Sequence, residues 1–345
     1  MRCDIIIPVW NQSALTKDCI DAILKNTSYP FRIIIIDNAS SDETEEYLIA
    51  LEKKFDINSS SGEGAKILSV RNDKNIGFIK AVNQGIGLSS APYICILNND
   101  TLVMKGWLKT MISVAESKSD IGIVNPSSNS LGQRPEKGEP IELFAEKLKS
   151  ETEESVEVGA ALGFCMLIKR EVINKIGLFD EIYGMGNFED TDFSRRAVKE
   201  GYRCVRACGA YVYHRENASF NHLKTFDEEF KRNSQIYEFR WGKSKRIAYI
   251  LDWYDDNVLE KLRSESLKLA REGNWIWYFS KEAIDVPKHS NIQIIRFSQK
   301  WFYLNSIFVV LKKKKKFNEI FVGSEGAYRL LRGLSFLHNA RVSYY

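Results

Sequence analysis

Ile33-Ile34-Ile35-Ile36-Asp37-Asn38-Ala39-Ser40 is the stretch that decides the fold. Four successive β-branched residues show no polar alternation, the pattern of a strand buried on both faces within a parallel sheet. The run ends on a polar cluster, and a Glu-rich segment with Tyr47, Leu48 and Leu51 at helical spacing follows. Upstream, Ile5-Ile6-Ile7 opens a strand expected to stop at Pro8, and Leu15, Cys19, Ala22 and Ile23 mark one face of a helix. Downstream the alternation continues, with strands at 67–70, 93–97 and 121–124 and helices near 79–88 and 107–115. Such an order means right-handed βαβ units. The expected fold class is α/β, a Rossmann-like, mainly parallel sheet flanked by helices.

Ligands of such sheets gather at the carboxyl ends of the strands. That rule selects four polar segments: 8–11, 37–40, 72–78 and 98–101. Beyond them, 127–158 turns polar and reads as a long surface excursion. A strand is expected at 159–168, then a short helix, a loop at 179–186, and a helix from Glu189 to near Gly201. Strand candidates at 204–205 and 210–213 lead into His214 and a polar loop, 215–219. After Trp241-Gly242 the basic segment 243–246 reads as a linker. Strands at 247–251, 275–279, 292–297, 320–322 and 341–344, with helices at 258–271 and 327–337, then form a smaller α/β unit. The expected domains are 1–242 and 243–345. The second ends on a strand with nothing to cover it, so a piece of something longer is expected.

Composition narrows the function classes. The chain has 345 residues, 44% hydrophobic and 27% charged, the balance of a globular protein. A net charge of +4, with no basic stripe interleaved with aromatics in the first 240 residues, argues against nucleic acid. The six cysteines sit mostly in apolar strand-like runs without zinc-knuckle spacing, and read as buried free thiols of a reducing compartment. The first strand leaves no room for a signal peptide. The apolar stretch 301–311 is far short of the roughly 20 residues of a membrane span. A cytoplasmic protein is expected. The Lys312–Lys316 run reads as a solvated loop or as a peripheral contact to anionic lipid at the inner face of the membrane.

Asp100, delivered by a strand at the head of Asn98-Asn99-Asp100-Thr101, is able to hold Mg²⁺ or Mn²⁺ against a diphosphate, since hard cations take oxygen ligands; Asn-Asn-Asp is also ordinary turn chemistry. Asp37 either accepts from a base edge or, with Ser40, caps the next helix. Glu189-Asp190-Thr191-Asp192 puts three carboxylates at a helix start. The dipole favours the anions, their repulsion raises at least one pKa, and a general base toward a hydroxyl results; an acidic solvated first turn is the other reading. His214 is a candidate metal ligand or a structural histidine.

Taken together in this order, the segments are more specific. Residues 7–11, 36–42, Asn75-Ile76-Gly77-Phe78 with Asn83-Gln84-Gly85-Ile86, 97–101, 163–171, 177–181, 188–193 with Arg196, and Tyr213-His214 resemble glycosyltransferase family 2 over the first ~240 residues. The branch with Asn-Asn-Asp and Tyr-His looks like rhamnosyl- and related surface-polysaccharide transferases. The resemblance implies a GT-A fold and inverting transfer of a sugar from a UDP- or dTDP-sugar to a hydroxyl of a glycan or lipid-linked acceptor. It implies that Asp37 contacts the base, and that Pro8, Val9, Trp10, Asn11, Asn75, Gly77, Asn83 and Asn99 frame the nucleotide sugar. Asp100 would be the metal-binding acid, Asn98 standing where the family's Asp-x-Asp motif has its first Asp. His214 would be a further ligand of a divalent cation, Mn²⁺ or Mg²⁺. Asp190 would be the base, with Glu189 beside it positioning the acceptor. The second domain resembles the start of a GT-B transferase half only loosely.

Other classes fare worse. A nucleotidyltransferase wants a Gly-rich signature with Arg and Lys where Pro8-Val9-Trp10-Asn11 stands, and a dehydrogenase needs G-x-G-x-x-G after the first strand. A degenerate sugar-nucleotide or glycan-binding module without turnover would be expected to lack Asp100, Asp190 or His214, and all three are present.

Overall fold

The computed structural model describes residues 2–58, 66–151, 154–215 and 226–345. The chain forms two compact units, one of residues 1–156 and 160–241, the other of 157–159 and 242–345. The second unit therefore starts one residue before the expected boundary and also takes in 157–159. Glu157 explains the detour: its carboxylate is paired with Arg271, and its carbonyl accepts from Ser290 N at 2.8 Å.

In the first unit the elements are β1 (Cys3–Val9), α1 (Ser13–Asn26), β2 (Phe31–Asp37), α2 (Thr44–Asn58), β3 (Lys66–Arg71), α3 (Phe78–Gly87), β4 (Tyr93–Leu97), β5 (Thr101–Val103), α4 (Trp107–Glu116) and β6 (Ile121–Ser127). Then follow α5 (Ile141–Leu148), β7 (Ser155–Glu157), β8 (Cys165–Lys169), α6 (Arg170–Ile176), α7 (Glu189–Lys199), β9 (Arg203–His214) and α8 (Phe226–Trp241). The sheet order is β3-β2-β1-β4-β8-β6-β9-β5. β3, β2, β1 and β4 are parallel, β8 runs against both β4 and β6, and β6 and β9 are parallel. β1, β4 and β9 consequently point their carboxyl ends the same way. Ile33 to Ile36 are fully buried, as the unbroken run predicts; each such side chain contributes roughly 1.5–3 kcal/mol of burial. α3 lies so close to β1 that a Cβ on Gly85 would stand 2.5 Å from Ile6 Cγ2.

Several sequence expectations change. β1 does not stop at Pro8 but runs to Val9, with Pro8 in register with Ile36. Pairing with β4 ends at Ile6, so Pro8 lies where β1 has a partner on one side only, and its missing N–H is tolerated. The strand expected at 159–168 is confined to β8, because Asn125 pins the preceding turn: Leu162 N donates to its Oδ1 at 2.8 Å, and its Nδ2 donates to Leu162 O at 2.9 Å. The pieces 204–205 and 210–213 are one strand, β9, whose register against β6 shifts between Pro126 and Ser127. The polar stretch 127–158 is not all surface, since α5 packs Ile141, Phe144, Ala145 and Leu148 around Met104 and Tyr211. Of the loop expected at 215–219, all but Arg215 lies outside the described residues. The six cysteines are buried and free.

The second unit contains β10 (Arg246–Leu251), α9 (Asp256–Arg271), β11 (Trp275–Ser280), β12 (Ile292–Arg296), α10 (Phe302–Lys312), β13 (Glu319–Val322), α11 (Glu325–Gly333), α12 (Ser335–His338) and β14 (Arg341–Tyr344). Its five strands are all parallel in the order β12-β11-β10-β13-β14. Alternate residues serve two cores: Ala248, Ile250, Trp277 and Phe279 face one side, and Ile247, Tyr249, Ile276 and Tyr278 the other. The expected linker 243–246 yields Arg246 to β10, and the expected helix 327–337 is broken into α11 and α12 after Gly333. α10 has no counterpart in the sequence reading. Among the described residues no helix is long and apolar enough to cross a membrane.

Candidate active site

In the first unit the strand order reverses between β1 and β4, the place where a parallel sheet opens a crevice at its carboxyl edge. A cleft of about 560 Å³ lies there, lined by Pro8, Val9 and Trp10 at the end of β1 and by Asn98, Asn99 and Asp100 after β4. Asn38, Asn75, Gly163, Glu189, Asp190 and His214 also line it.

His214 ends β9 opposite Thr101, which brings its Nε2 to 3.1 Å from Asp100 Oδ1. The residue is held from three sides. Ser130 Oγ lies 2.9 Å from Nδ1, Asn129 exchanges two 2.8 Å hydrogen bonds with the His214 backbone, and Phe164 stacks on the ring at 5.0 Å between centroids. Asp100 Oδ1 is buried and, beyond its contact with the His214 ring, has no hydrogen-bond partner. One carboxylate with an open oxygen and one fixed imidazole suit a hard cation that takes its other ligands from a diphosphate and water. Among the described residues no group of three or more His, Cys, Asp or Glu side chains is placed to hold an ion.

The α7 carboxylates divide into three kinds. Asp192 is fully buried and spent on structure: it receives Arg196 Nε at 2.9 Å, and Arg240 Nη1 and Trp241 Nε1 at 2.8 Å each. Asp190 Oδ2 accepts from Gly163 N at 3.0 Å, and its Oδ1 from Thr191 N at 2.6 Å. Burial raises the Asp190 pKa, against the pull of those hydrogen bonds. Glu189 is buried, its Oε2 has no hydrogen-bond partner, and burial followed by the Asp190 charge pushes it up to about 8. The pair therefore holds one proton more readily than two separate carboxylates do.

The remaining expected residues lie at different depths. Asp37 is buried, does not line the cleft, is ion-paired with Arg71, and accepts from Ser40 N at 3.0 Å. Asn11 braces the loop after β2, its N–H donating to Ser40 Oγ at 2.8 Å and its Oδ1 accepting from Ser41 N at 2.7 Å. Asn83 exchanges hydrogen bonds with the Phe179 backbone, and Asn99 Nδ2 donates to Thr16 Oγ1 at 3.0 Å. Asn75 Oδ1 accepts from Gly77 N at 2.9 Å; Gly77 has φ +88°, and a Cβ there would come 3.1 Å from Met185 Sδ. Cleft residues that sequence reasoning did not assign individually, although it singled out the segments that hold them, include Ser130, Phe164, Asn187 and Phe188. Asn187 and Phe188 take left-handed φ values of 72° and 73° just before α7, a strained conformation for a bulky residue that is typical of binding sites. The Gly184-Met185-Gly186 spacing ahead of them was the available signal.

The family model described as Glycosyl transferase family 2 matches residues 4–177, half of the chain. The chain belongs to glycosyltransferase family 2. It is 25% identical over 252 residues to the glycosyltransferase AglE of Haloferax volcanii, covering 72% of this chain and 74% of AglE. It is 24% identical over 279 residues to the amylovoran biosynthesis glycosyltransferase AmsB of Erwinia amylovora, covering 76% and 86%. Among solved structures it resembles the mannosyltransferase PcManGT from Pyrobaculum calidifontis, in complex with GDP-Man and Mn²⁺, with TM-score 0.52 at 18% identity over 70% of this chain and 65% of that one. That likeness bears on the fold, which is GT-A. The chain spans under two thirds of the length of that neighbour, and 27% of another curated relative.

Proposed function

We propose that this family 2 member transfers one sugar, with inversion, from a nucleotide-diphosphate sugar to a hydroxyl of a glycan or lipid-linked acceptor in surface polysaccharide synthesis. The observation that carries the reading is the gathering of Asp100, His214, Glu189 and Asp190 in a single cleft at the β1/β4 strand reversal. AmsB, named for amylovoran biosynthesis, and PcManGT, bound to GDP-Man, support the class of acceptor and donor.

Asp190 accepts the proton of the incoming hydroxyl, and Glu189, still protonated at neutral pH, donates a hydrogen bond to the acceptor. Gly163 N and Thr191 N fix the Asp190 carboxylate without using all its lone pairs. With its proton passed to Asp190, the acceptor oxygen bonds to the anomeric carbon as the bond to the nucleoside diphosphate breaks, in one displacement, so no covalent enzyme intermediate is required. Pro8, Val9, Trp10, Asn75 and Asn99 frame the nucleotide, while Asp37, Asn11, Gly77 and Asn83 hold the shape of that frame from behind. Asp100 and His214 would hold a Mn²⁺ or Mg²⁺ ion, which when bound supplies charge neutralisation for the leaving diphosphate.

The test is nucleoside diphosphate release from a panel of UDP-, dTDP- and GDP-sugars with a mixed glycan acceptor, in Mn²⁺, in Mg²⁺ and in EDTA. Turnover of one donor that is abolished by EDTA and by Asp100→Ala is the expected result. Donor binding without turnover in every cation would favour a sugar-nucleotide-binding module instead.

A further inference from the structure

The second unit carries a surface that the transfer reaction leaves unused. α10 buries Phe302, Ser306 and Val310, spaced four apart, as its inner face. On the outer side Trp301, Leu304 and Phe308 fall three and four apart, one helical stripe, and are 51%, 61% and 58% exposed. α12, which touches α10, carries a further exposed aromatic, Phe336, at 73%. Single exposed apolar residues are ordinary, but a clustered stripe of large ones marks an interaction surface.

Along the chain, the charge flanking this stripe has one sign. No acidic residue occurs between Asp285 and Glu319, while Lys288, Arg296, Lys300 and Lys312 to Lys316 all fall there. Two of these cations flank the stripe: Lys300 Nζ lies 5.4 Å from the Trp301 ring and Lys312 Nζ 4.9 Å from the Phe308 ring. Lys314, Lys315 and Lys316 are exposed just beyond the end of the helix.

We propose that this face docks on an anionic lipid bilayer, the α10 stripe entering the headgroup boundary and the lysine run resting on acidic headgroups. An exposed Trp, a Leu and a Phe beside lysines are the side chains an interfacial helix uses. The 11 residues of α10 rise about 16 Å, half a bilayer core, so the helix lies in the surface instead of crossing it. A second copy of the chain is a poor occupant, since a two-fold contact would bring two lysine runs together. The proposal is independent of the transfer reaction.

Flotation of the full chain with vesicles tests it, comparing pure phosphatidylcholine with phosphatidylcholine containing about 30% phosphatidylglycerol. The expected result is at least about tenfold more bound chain on the anionic vesicles, released by about 0.5 M salt. Lys314→Glu/Lys315→Glu/Lys316→Glu is expected to remove most of that preference. Leu304→Gln/Phe308→Gln, changed only on the exposed stripe, is expected to weaken binding while leaving the circular dichroism spectrum unaltered. Equal or absent binding on the two vesicle types, or wild-type binding by both variants, overturns the proposal. So does a dimer on size exclusion that Leu304→Gln/Phe308→Gln dissolves, because the stripe would then be a protein interface.

Discussion

The two units repeat one topology and put it to opposite uses. In β3-β2-β1-β4 and in β12-β11-β10-β13 the first strand sits inside, the next two are added on one flank, and the fourth crosses to the other. Both sheets should therefore open a crevice at the carboxyl ends of the two strands where the order reverses. In the first unit that edge is the cleft, and it keeps Glu189 Oε2 without a partner and an Asp100 Oδ1 whose one neighbour is the His214 ring. In the second unit the same edge is filled by its own side chains. Asp252, just after β10, accepts from Gly323 N at 2.8 Å, from Ser324 Oγ, and from Tyr303 Oη at 3.3 Å. Tyr345 Oη donates to Trp253 O, and a Cβ on Gly323 would stand 2.4 Å from that Oη. Topology thus places a crevice, and unspent hydrogen-bonding capacity makes it a site.

The largest effect expected from this contrast is that of Asp190→Asn. Losing the base should lower kcat by about 10³-fold while the donor KM changes less than about threefold. Steady-state release of the nucleoside diphosphate measures both, and a variant within tenfold of wild type would remove Asp190 from the reaction. Next comes the mirror experiment at the filled edge. Asp252→Ala leaves the Gly323 N–H without its acceptor and should cost the second unit about 1–3 kcal/mol in urea unfolding. Its turnover should stay within about twofold of wild type, because Asp252 lines no part of the cleft. A collapse of turnover with unchanged stability would mean that the second edge is a working site and would break the comparison.

The sequence made the parallel sheet legible through unbroken apolar runs such as Ile33 to Ile36, where burial on both faces leaves no other pattern. It made Asp100 and His214 legible as polar residues following strands, and Glu189 and Asp190 as carboxylates clustered at a helix start, while their roles were implied by the resemblance to glycosyltransferase family 2. What it hid were long-range pairings. Asp37 stands at a strand end like Asp100, and only the structure gives it Arg71 as a partner. Asp192 is indistinguishable in sequence from its neighbours Glu189 and Asp190, yet Arg240 and Trp241, some fifty residues on, consume it. Phe188 belongs to the cleft through a left-handed backbone that no composition rule assigns to phenylalanine. α5 and α10 were missed for a related reason: each buries one narrow stripe, and an exposed apolar face on α10 blurs its period.

The smallest effect expected is also the one that tests the carboxylate pair most closely. Glu189 is held up to about 8 by burial and then by Asp190, so it is neutral in the folded protein across the neutral range and charged in the unfolded chain above about 4.5. Between those two values the folded state binds the extra proton, and linkage makes its stability fall as pH rises. Glutamine mimics the protonated acid but does not titrate. Glu189→Gln should therefore gain on wild type as pH increases, with the difference in melting temperature larger at pH 8 than at pH 5 by about 3 °C. Turnover should follow the same sign: wild type loses activity as pH climbs through about 8, when a second negative charge appears beside Asp190, and Glu189→Gln keeps most of its rate without that alkaline limb. If the variant instead lost its activity at every pH while Asp190→Asn remained active, Glu189 would be the proton acceptor, and its unpartnered Oε2 would be the atom that takes the proton.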